Sequence, residues 1–264
     1  RVNNKPKISV LMTIYNHQNY LEQSIRSVLK QTYKNWELIA CENGSVDNSK
    51  SILRKIKDKR IKKFFFKNNI GRTKCLNFAL KKSKGELIAI LDSDDIAKPN
   101  RFISQINYLK NENFDLVGSW YNRIDDKGKV IEKINFNIKD STLLRRILFF
   151  NIIGHSTIMF KKNIIKKIGN YPNKFIFMQD YAFFLKVFKY FNIGMIEKNL
   201  TNCRYHHQNS ETTRVSNTKV IENENVKLLS WSKDNFDLNI IELIYYYFQL
   251  SKLRLKIIKK TLLF

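Results

Sequence analysis

The chain has few cysteines. Three occur in 264 residues, at Cys41, Cys75 and Cys203, and they are far apart with no Cys-x-x-Cys pair. An odd number at these spacings indicates neither a disulfide framework nor a zinc site. We therefore expect a reducing compartment. The 43% hydrophobic content, with 19 Phe and 12 Tyr, predicts a folded protein with a real core.

Long apolar runs are also missing. No stretch approaches the roughly 18 apolar residues that a spanning helix needs, and the first residues do not form a signal sequence. The sequence therefore predicts no spanning helix and no export signal, and we expect a cytoplasmic protein. No internal repeat or low-complexity linker divides the chain.

Acidic residues are scarce. The chain has 23 Asp and Glu against 48 Lys and Arg, a formal net charge of +25. This excess predicts attraction to an anion, which could be nucleic acid, an acidic membrane face or a phosphorylated small molecule. No RNA-binding or helix-turn-helix signature stands out, so nucleic acid is the less favoured partner.

Three of these few carboxylates follow one apolar segment. Residues 86–91 read as a mostly buried strand and run directly into Asp92-Ser93-Asp94-Asp95. Negative charge at the end of a buried strand is costly unless a positive group compensates it. Mg²⁺ and Mn²⁺ prefer carboxylate oxygen and accept water or phosphate at their remaining positions. The cluster is a candidate cation site, although the spacing alone is more typical of a solvated turn.

The first 95 residues alternate strand and helix patterns. Apolar runs predict strands at 7–14, 36–41, 61–66 and 87–91, and helical spacing predicts helices at 19–31, around 52–56 and at 72–82. Successive β-α-β steps predict parallel strands joined by right-handed crossovers, with ligands at the carboxyl ends. Tyr15, Glu42, Asp92 and Asp94 lie at such ends.

The pattern loosens beyond Pro99. An antiparallel pair is predicted at 115–124 and 130–136, with its turn at Asp126-Lys127-Gly128. Helices are predicted from Phe102 to Leu109, at 141–150 and at 178–191.

Several segments, taken in order, resemble the family 2 glycosyltransferases, which are inverting enzymes that use nucleotide sugars and have the GT-A fold. The matching segments are 6–16, 27–37, 69–77, 84–86 and 91–95. The resemblance covers roughly residues 6 to 211. It implies an α/β fold with a mixed, mainly parallel sheet flanked by helices, and a domain over 1–215 followed by a helical extension over 216–264. Within that domain, 1–98 would bind the nucleotide and 99–215 the acceptor.

The resemblance also implies roles for the carboxylate cluster. Asp94 would bind Mn²⁺ or Mg²⁺, and Asp92 would contact the ribose or assist the metal. Asp95 either takes part or caps the next helix. The family's second strand normally ends in paired aspartates where this chain has Glu42-Asn43. Glu42 could still accept a uracil N–H, and a UDP-sugar is the expected donor. The implied nucleotide pocket comprises Thr13, Tyr15, Glu42, Asn43 and Arg72.

An inverting transfer needs a base that takes the proton from the attacking hydroxyl. The family's base is the Asp of a Glu-Asp pair that opens a helix after a Gly-Gly-Tyr segment. Here Gly169-Asn170-Tyr171 precedes Gln179-Asp180. The resemblance therefore implies Asp180 as the base, with Gln179 in place of the glutamate.

Histidines complete the implied site. His155 would line the acceptor pocket. The segment from Arg204 to Ser210 resembles a loop that closes over the diphosphate and sometimes adds a histidine to the metal. Counting from Arg204 selects His206, whereas counting back from Ser210 selects His207. The register leaves both open, with His207 slightly favoured for the metal and His206 beside Arg204 for the phosphates.

Residues 239–264 lie outside the strong resemblance. Leu250, Leu253 and Ile257 can share one helical face, with Lys252, Lys256, Lys259 and Lys260 elsewhere. The pattern suits an anionic membrane surface. It equally suits a helix docked on the catalytic domain or an oligomer contact.

The sequence predicts an inverting, metal-dependent glycosyltransferase. It would move a sugar from a UDP-sugar to a saccharide or lipid-linked saccharide in capsule or lipopolysaccharide synthesis, at the inner face of a bacterial cytoplasmic membrane. A nucleotidyltransferase would usually show a Gly-rich loop after its first strand, where this chain has Asn16-His17-Gln18-Asn19. A non-catalytic basic nucleic-acid or membrane-binding protein is the other alternative. Retention of both Asp94 and Asp180 argues against it.

Overall fold

The first half of the chain forms parallel β-α-β units. The computed structural model describes residues 6–135, 144–205 and 218–261. The strands are β1 (Ile8–Ile14), β2 (Trp36–Glu42), β3 (Ile61–Phe65) and β4 (Leu87–Ile90), connected by α1 (Leu21–Leu29), α2 (Ser49–Lys55) and α3 (Arg72–Lys82). They lie in the order β3-β2-β1-β4, and each neighbouring pair is parallel. The predicted β-α-β succession is confirmed.

The parallel strands are apolar because both faces of the sheet are covered. Every residue of β2 and β4 is buried. On one face, Leu11, Ile39 and Ile88 pack into a core that includes α3. On the other face, Val10 and Leu38 pack into a second core with α1. Continuous apolar runs are expected for strands buried in this way.

The sheet continues beyond β4 with mixed strand directions. The later elements are β5 (Ile96–Ala97), α4 (Arg101–Asn111), β6 (Leu116–Ile124), β7 (Val130–Ile134), β8 (Met159–Lys161), α5 (Ile165–Ile168), α6 (Gln179–Tyr190) and β9 (Ile193–Arg204). From β4 the order is β8-β6-β9-β5, and β7 pairs with β6. Strand β8 is antiparallel to β4 and β6, whereas β9 is parallel to β6.

Two predictions for this half have different outcomes. The antiparallel pair is confirmed, since β6 and β7 pair around a turn in which Gly128 has a φ of 86°. The helix predicted at 141–150 is confirmed only in part. Among its described residues, Leu144 is α-helical and Arg145–Leu148 forms a 3₁₀ helix, which buries Ile147 and Leu148.

Two helices follow the sheet. They are α7 (Thr218–Asn235) and α8 (Ile240–Thr261). Leu228 of α7 is buried in the same core as Phe183 and Phe184 of α6. Arg145 is bonded to Glu242 of α8 through Nε at 2.5 Å and Nη2 at 2.9 Å. The described part of the predicted helical extension is therefore joined to the sheet domain by packing and an ion pair.

Candidate active site

The carboxyl ends of β1, β2 and β4 border a cavity of about 590 Å³. Parallel strands end together at one edge of a sheet, which is where ligands of open α/β sheets bind. The start of α3 and the segment before α6 complete the wall. Of the residues predicted for the site, the cavity is lined by Thr13, Tyr15, Asn43, Arg72, Asp92, Asp94 and Arg204.

Asp92 and Arg72 form an ion pair in the cavity wall. Arg72, the first residue of α3, donates from Nη2 to Asp92 Oδ1 at 2.7 Å and to Oδ2 at 2.8 Å. Burial opposes the charge on both groups, but their mutual attraction outweighs it. The attraction lowers the pKa of Asp92 and raises the pKa of Arg72. Both groups are therefore ionised near neutral pH, and the chain itself compensates much of the Asp92 charge.

His155 supports this pair from behind. Its Nδ1 lies 3.2 Å from Arg72 Nη2, and its Nε2 lies 3.2 Å from the Tyr171 hydroxyl. A guanidinium can only donate, so Nδ1 accepts and the proton of the neutral ring is on Nε2. Burial lowers the pKa of His155, which agrees with a neutral ring. His155 thus orients Arg72 from beneath the cavity wall.

Asp94 lies beside His17 in another part of the wall. Asp94 Oδ2 and His17 Nε2 are 3.9 Å apart, and both residues line the cavity. Ser93 Oγ donates to the Thr13 carbonyl at 3.0 Å and lies 2.7 Å from His17 Nδ1. The hydroxyl therefore accepts the Nδ1 proton and fixes the ring. His17 was not predicted from the sequence, although its place just after β1, at the carboxyl edge, was an available signal.

Asp94 could supply one ligand to a divalent cation that also binds a phosphorylated ligand. Within the described ranges 6–135, 144–205 and 218–261, no three His, Cys, Asp or Glu side chains form a metal cage. Mg²⁺ bound with substrate phosphates commonly uses one or two protein carboxylates, while phosphate and water complete the coordination. Asp94 fits as that carboxylate. The predicted His206 and His207 lie outside the described residues.

Asp95 joins the cavity to β9. Its Oδ1 accepts the Arg204 N–H at 2.7 Å, and the residue is 5% exposed. Burial and the neighbouring Asp94 and Asp92 raise the pKa of Asp95 well above its usual value. The N-cap position of α4 is occupied by Asn100, so Asp95 does not cap that helix.

Arg204 holds the loops on one side of the cavity. Its Nη1 donates to the carbonyl oxygens of Asp125 and Asp126 at 2.6 and 2.9 Å. Its Nε donates to the Asp94 carbonyl at 3.0 Å, and its Nη2 to Gln23 Oε1 at 2.8 Å. The side chain therefore uses most of its donors to join two loops and helix α1, while it also lines the cavity.

Glu42 and Asn43 shape the loops at the end of β2. Glu42 is fully buried, and its Oε1 accepts the Ser45 N–H at 2.6 Å. Its Oε2 has no hydrogen-bond partner among the described residues. Asn43 accepts the Ile70 N–H at 3.0 Å and donates to Asn69 Oδ1 at 2.9 Å. The end of β2 thereby fixes the loop that leads into α3 and Arg72.

The segment before α6 and the first residue of that helix form a further part of the wall. The lining residues here are Ile176, Phe177 and Gln179. Asp180 follows directly, and its Oδ1 accepts the Tyr181 N–H at 2.8 Å while its Oδ2 accepts from Asn151 Nδ2 at 3.2 Å. Burial lowers the pKa of Arg72, whereas the negative charges of Asp92 and, to a smaller extent, Asp180 raise it. Asp180 therefore acts electrostatically on the Arg72 end of the cavity.

Sequence comparisons identify related proteins. The model for glycosyl transferase family 2 matches residues 9–184. An uncharacterised glycosyltransferase of Haemophilus influenzae is 32% identical over 250 residues, which cover 92% of this chain and 94% of that protein. The O-antigen biosynthesis glycosyltransferase WbnJ of Escherichia coli is 33% identical over 187 residues, which cover 68% of this chain and 71% of that protein.

Solved structures show the same fold. Staphylococcus aureus TarS in complex with UDP-GlcNAc has a TM-score of 0.72 and 19% identity, over 94% of this chain and 71% of that chain. The mannosyltransferase PcManGT from Pyrobaculum calidifontis, in complex with GDP-Man and Mn²⁺, has a TM-score of 0.67 and 14% identity. The match covers 96% of this chain and 74% of that chain. At these identities the likeness establishes the GT-A fold alone. The family match covers more than half of the chain and agrees with the fold and the named relatives. The chain belongs to glycosyl transferase family 2, and it is a glycosyltransferase.

Proposed function

We propose that this glycosyltransferase moves a sugar, with inversion, from a UDP-sugar to a saccharide or lipid-linked saccharide in the synthesis of a surface polysaccharide. The observation that carries the proposal is one cavity that combines Asp94, the Arg72–Asp92 pair and the segment leading to Asp180. The relative WbnJ acts in O-antigen biosynthesis. TarS, of the same fold, is described with UDP-GlcNAc. WbnJ supports a saccharide acceptor in surface-polysaccharide synthesis, and TarS supports a nucleotide-sugar donor.

The leaving group of this reaction is a diphosphate whose negative charge grows in the transition state. Asp94 would hold Mn²⁺ or Mg²⁺, which when bound would supply Lewis-acid stabilisation to the diphosphate. Arg72 adds a second, permanent positive charge. Among the described residues, Arg72 contacts Asp92 and His155 through Nη2. Its Nε and Nη1 groups can therefore donate to phosphate.

Asp180 would act on the acceptor side. Its carboxylate takes the proton from the acceptor hydroxyl as that oxygen forms a bond to the anomeric carbon. The bond between that carbon and the diphosphate breaks on the opposite face, which inverts the configuration. Asn151 and the Tyr181 N–H each donate to one carboxylate oxygen, and these bonds fix the orientation of the Asp180 side chain.

A donor screen tests the proposal. Wild-type protein is incubated with UDP-, GDP- and dTDP-sugars in Mn²⁺ or in a chelator, with and without saccharide acceptors, and nucleotide release is measured. We expect release from a UDP-sugar that needs Mn²⁺ and is lost in Asp94→Ala. No turnover of any donor under any condition, or equal turnover in the chelator, would contradict the proposal.

Helix α8 has one docked face and one exposed apolar face. Tyr246 and Leu250 are buried against Leu229 of α7, with Leu253 packed beside them. Leu250 and Leu253, two of the residues predicted for a membrane face, are therefore used in docking. The helix instead exposes a different apolar set, which is Ile240, Ile241, Ile244, Tyr247, Phe248 and Leu255.

We propose that this exposed set rests on an anionic membrane surface at the cytoplasmic face. Exposed Lys252, Arg254 and Lys256 follow on the same helix, and the whole chain carries +25. Apolar side chains with basic neighbours are typical of helices that lie in the interface plane. None of the helices in the described ranges is long and apolar enough to cross a bilayer.

Vesicle sedimentation tests this surface. The protein is mixed with phosphatidylcholine vesicles with or without phosphatidylglycerol. We expect binding to the anionic vesicles that weakens in salt and falls at least fivefold in Ile244→Asp/Phe248→Asp. The matched control is Ile131→Asp, which changes an exposed isoleucine on β7. Equal binding by the three proteins, or an α8-dependent dimer that binds no vesicles, would overturn the assignment.

A further inference from the structure

Glu224 of helix α7 binds the backbone of the cavity wall. Its buried carboxylate, on a residue 5% exposed, accepts three consecutive N–H groups. Oε1 accepts from Ile176 at 2.7 Å, and Oε2 accepts from Phe177 and Met178 at 3.0 Å each. Hydrogen bonds to an ionised carboxylate are stronger than neutral ones, so three of them fix this segment firmly.

Gln179 donates hydrogen bonds to carbonyl oxygens of the same segment. With its amide oriented to match its neighbours, Gln179 Nε2 donates to the carbonyl oxygens of Ile176 at 2.9 Å and Phe177 at 3.1 Å. An ionised glutamate at this position could donate neither bond. Gln179 and Glu224 are therefore complementary, since one binds the carbonyl oxygens of the segment and the other binds its N–H groups.

The residues just before this segment are held by α3. Asn77 Nδ2 donates to the Tyr171 carbonyl at 2.8 Å, and Asn77 Oδ1 accepts the Tyr171 N–H at 3.0 Å. The helix that presents Arg72 thus fixes the chain at Tyr171, and α7 fixes the segment 176–178 that follows. Together these two sets of hydrogen bonds connect the Arg72 side of the cavity to the start of α6.

Ile176 shows why the backbone needs this support. Its side chain is 60% exposed although it lines the cavity, so packing alone does not hold it. Its N–H makes the shortest of the three bonds to Glu224. The position of this part of the wall therefore depends on backbone hydrogen bonds.

We propose that Glu224 is a positioning residue, which fixes the acceptor-side wall at 176–178 and thereby places Asp180 for proton transfer. Glu224 lies beyond residues 9–184, the part of the chain that the family model matches. The inference rests on the proposed glycosyl transfer and adds to it that α7 is part of the catalytic apparatus. Loss of the carboxylate should impair transfer to the acceptor and leave donor binding intact.

Hydrogen exchange measured by NMR on full-length protein tests the attachment without reference to activity. In the wild type, the amides of 176–178 should be protected although they precede α6. In Glu224→Gln their exchange should be at least tenfold faster, because one amide oxygen cannot replace two carboxylate oxygens. Unprotected wild-type amides would overturn the proposal, and that result does not depend on the folding of any variant.

Steady-state kinetics tests the consequence. A misplacement of about 1 Å can cost on the order of 100-fold in rate. We therefore expect kcat for transfer in Glu224→Gln to fall tenfold to 100-fold, with UDP affinity within threefold of wild type. Glu224→Asp, which keeps the carboxylate, should recover part of the rate. The matched control is Glu222→Gln, on the same helix and 8% exposed, whose carboxylate lies 3.8 Å from Lys256 Nζ.

The two proposals fail in different ways. If wild-type protein turns over no donor, the proposed function fails, while protection at 176–178 still decides whether Glu224 holds the wall. If wild type is active and Glu224→Gln transfers sugar within twofold of Glu222→Gln, the positioning role is overturned. An equal fall in UDP affinity and kcat would also overturn it, because a collapse of the whole cavity would then explain the loss.

Discussion

The two ends of the parallel strands use buried carboxylates differently. At the amino ends, Glu37 Oε1 accepts from Ser9 Oγ and from the Lys84 N–H, both at 2.7 Å. Glu37 Oε2 accepts from Lys7 Nζ at 3.1 Å. The Gly85 N–H donates to the same Ser9 hydroxyl at 2.7 Å. Both carboxylate oxygens thus have partners from the chain itself, so this cluster stabilises the fold.

At the carboxyl ends, the charges face a cavity. Asp92 is paired with Arg72, and Asp94 lies 3.9 Å from His17 on the cavity wall. The difference separates a cluster whose polar groups all have partners within the chain from one that faces a cavity, where we propose that a cation and a diphosphate bind.

Asp94→Ala should have the largest effect on activity. Loss of the proposed metal carboxylate should lower transfer by at least about 10³-fold, because charge on the leaving diphosphate is no longer stabilised. The thermal midpoint should change little, since Asp94 faces the cavity. Activity is measured as UDP release, with Asp115→Ala, a half-buried carboxylate that is paired with Lys161 and does not line the cavity, as the control. Transfer by Asp94→Ala within tenfold of wild type would contradict the metal role.

Asp180→Asn should abolish general base catalysis and retain donor binding. Proton transfer by a positioned side chain contributes roughly 10²–10⁴-fold, so we expect a loss in that range. The Asn side chain keeps the shape and an acceptor for the Tyr181 N–H. UDP affinity, measured by calorimetry, should stay within threefold. If the variant transfers sugar as fast as wild type, Asp180 is not the base.

Arg72→Ala should lower transfer by roughly 10²-fold, because it removes a preorganised donor to developing charge. Arg72→Lys should recover only part of the rate, because an ammonium cannot contact Asp92, His155 and phosphate with the same fork of donors. Their kcat and KM values, compared with Arg26→Lys on the exposed face of α1, provide the measurement. Full activity in Arg72→Ala would remove this residue from the site.

Glu37→Gln should change stability and leave activity unaffected. Loss of a buried, charged acceptor should lower the free energy of unfolding at neutral pH by about 1–3 kcal/mol. Burial raises the pKa of Glu37, but its bonds to Ser9, Lys84 and Lys7 outweigh burial and leave the pKa lowered from 4.5.

The lowered pKa sets the pH dependence of this contribution. Glu37 stabilises the folded state above the unfolded-state value near 4.5 and loses that contribution as pH falls through its folded pKa. Urea denaturation at pH 7 and pH 3 should therefore show a difference between Glu37→Gln and wild type that shrinks in acid. A difference in the free energy of unfolding that stays constant with pH would contradict the role given to Glu37. A loss of kcat at pH 7 would contradict the functional distinction between the amino and carboxyl ends of the strands.

Local patterns predicted the parallel half of the fold. Strands β1 to β4 are apolar runs separated by amphipathic helices, so each could be recognised within its own segment. Strands β8 and β9 could not be recognised in this way. Strand β8 has three residues, and β9 carries Glu197 and Lys198 and pairs with β6 through register shifts. Such pairing depends on contacts between distant segments, which a local pattern does not contain.

The site was predictable where side chains carry the chemistry. Asp92, Asp94 and Arg72 were recognised from their order along the chain, and the structure brings all three into one cavity wall. Glu224 was not recognised, because its partners are backbone N–H groups 46 to 48 residues away, and such groups leave no motif. His17 was missed because its nearest acidic neighbour, Asp94, lies on another strand end.

The central claim is that the carboxyl ends of the strands hold a cation together with a nucleotide diphosphate. Calorimetric titration of wild type and Asp94→Ala with UDP, each with and without Mn²⁺, tests it most directly. We predict that Mn²⁺ strengthens UDP binding to wild type at least tenfold and has no such effect on Asp94→Ala. Equal UDP affinity with and without Mn²⁺ in wild type, or an undiminished Mn²⁺ effect in Asp94→Ala, would contradict the claim.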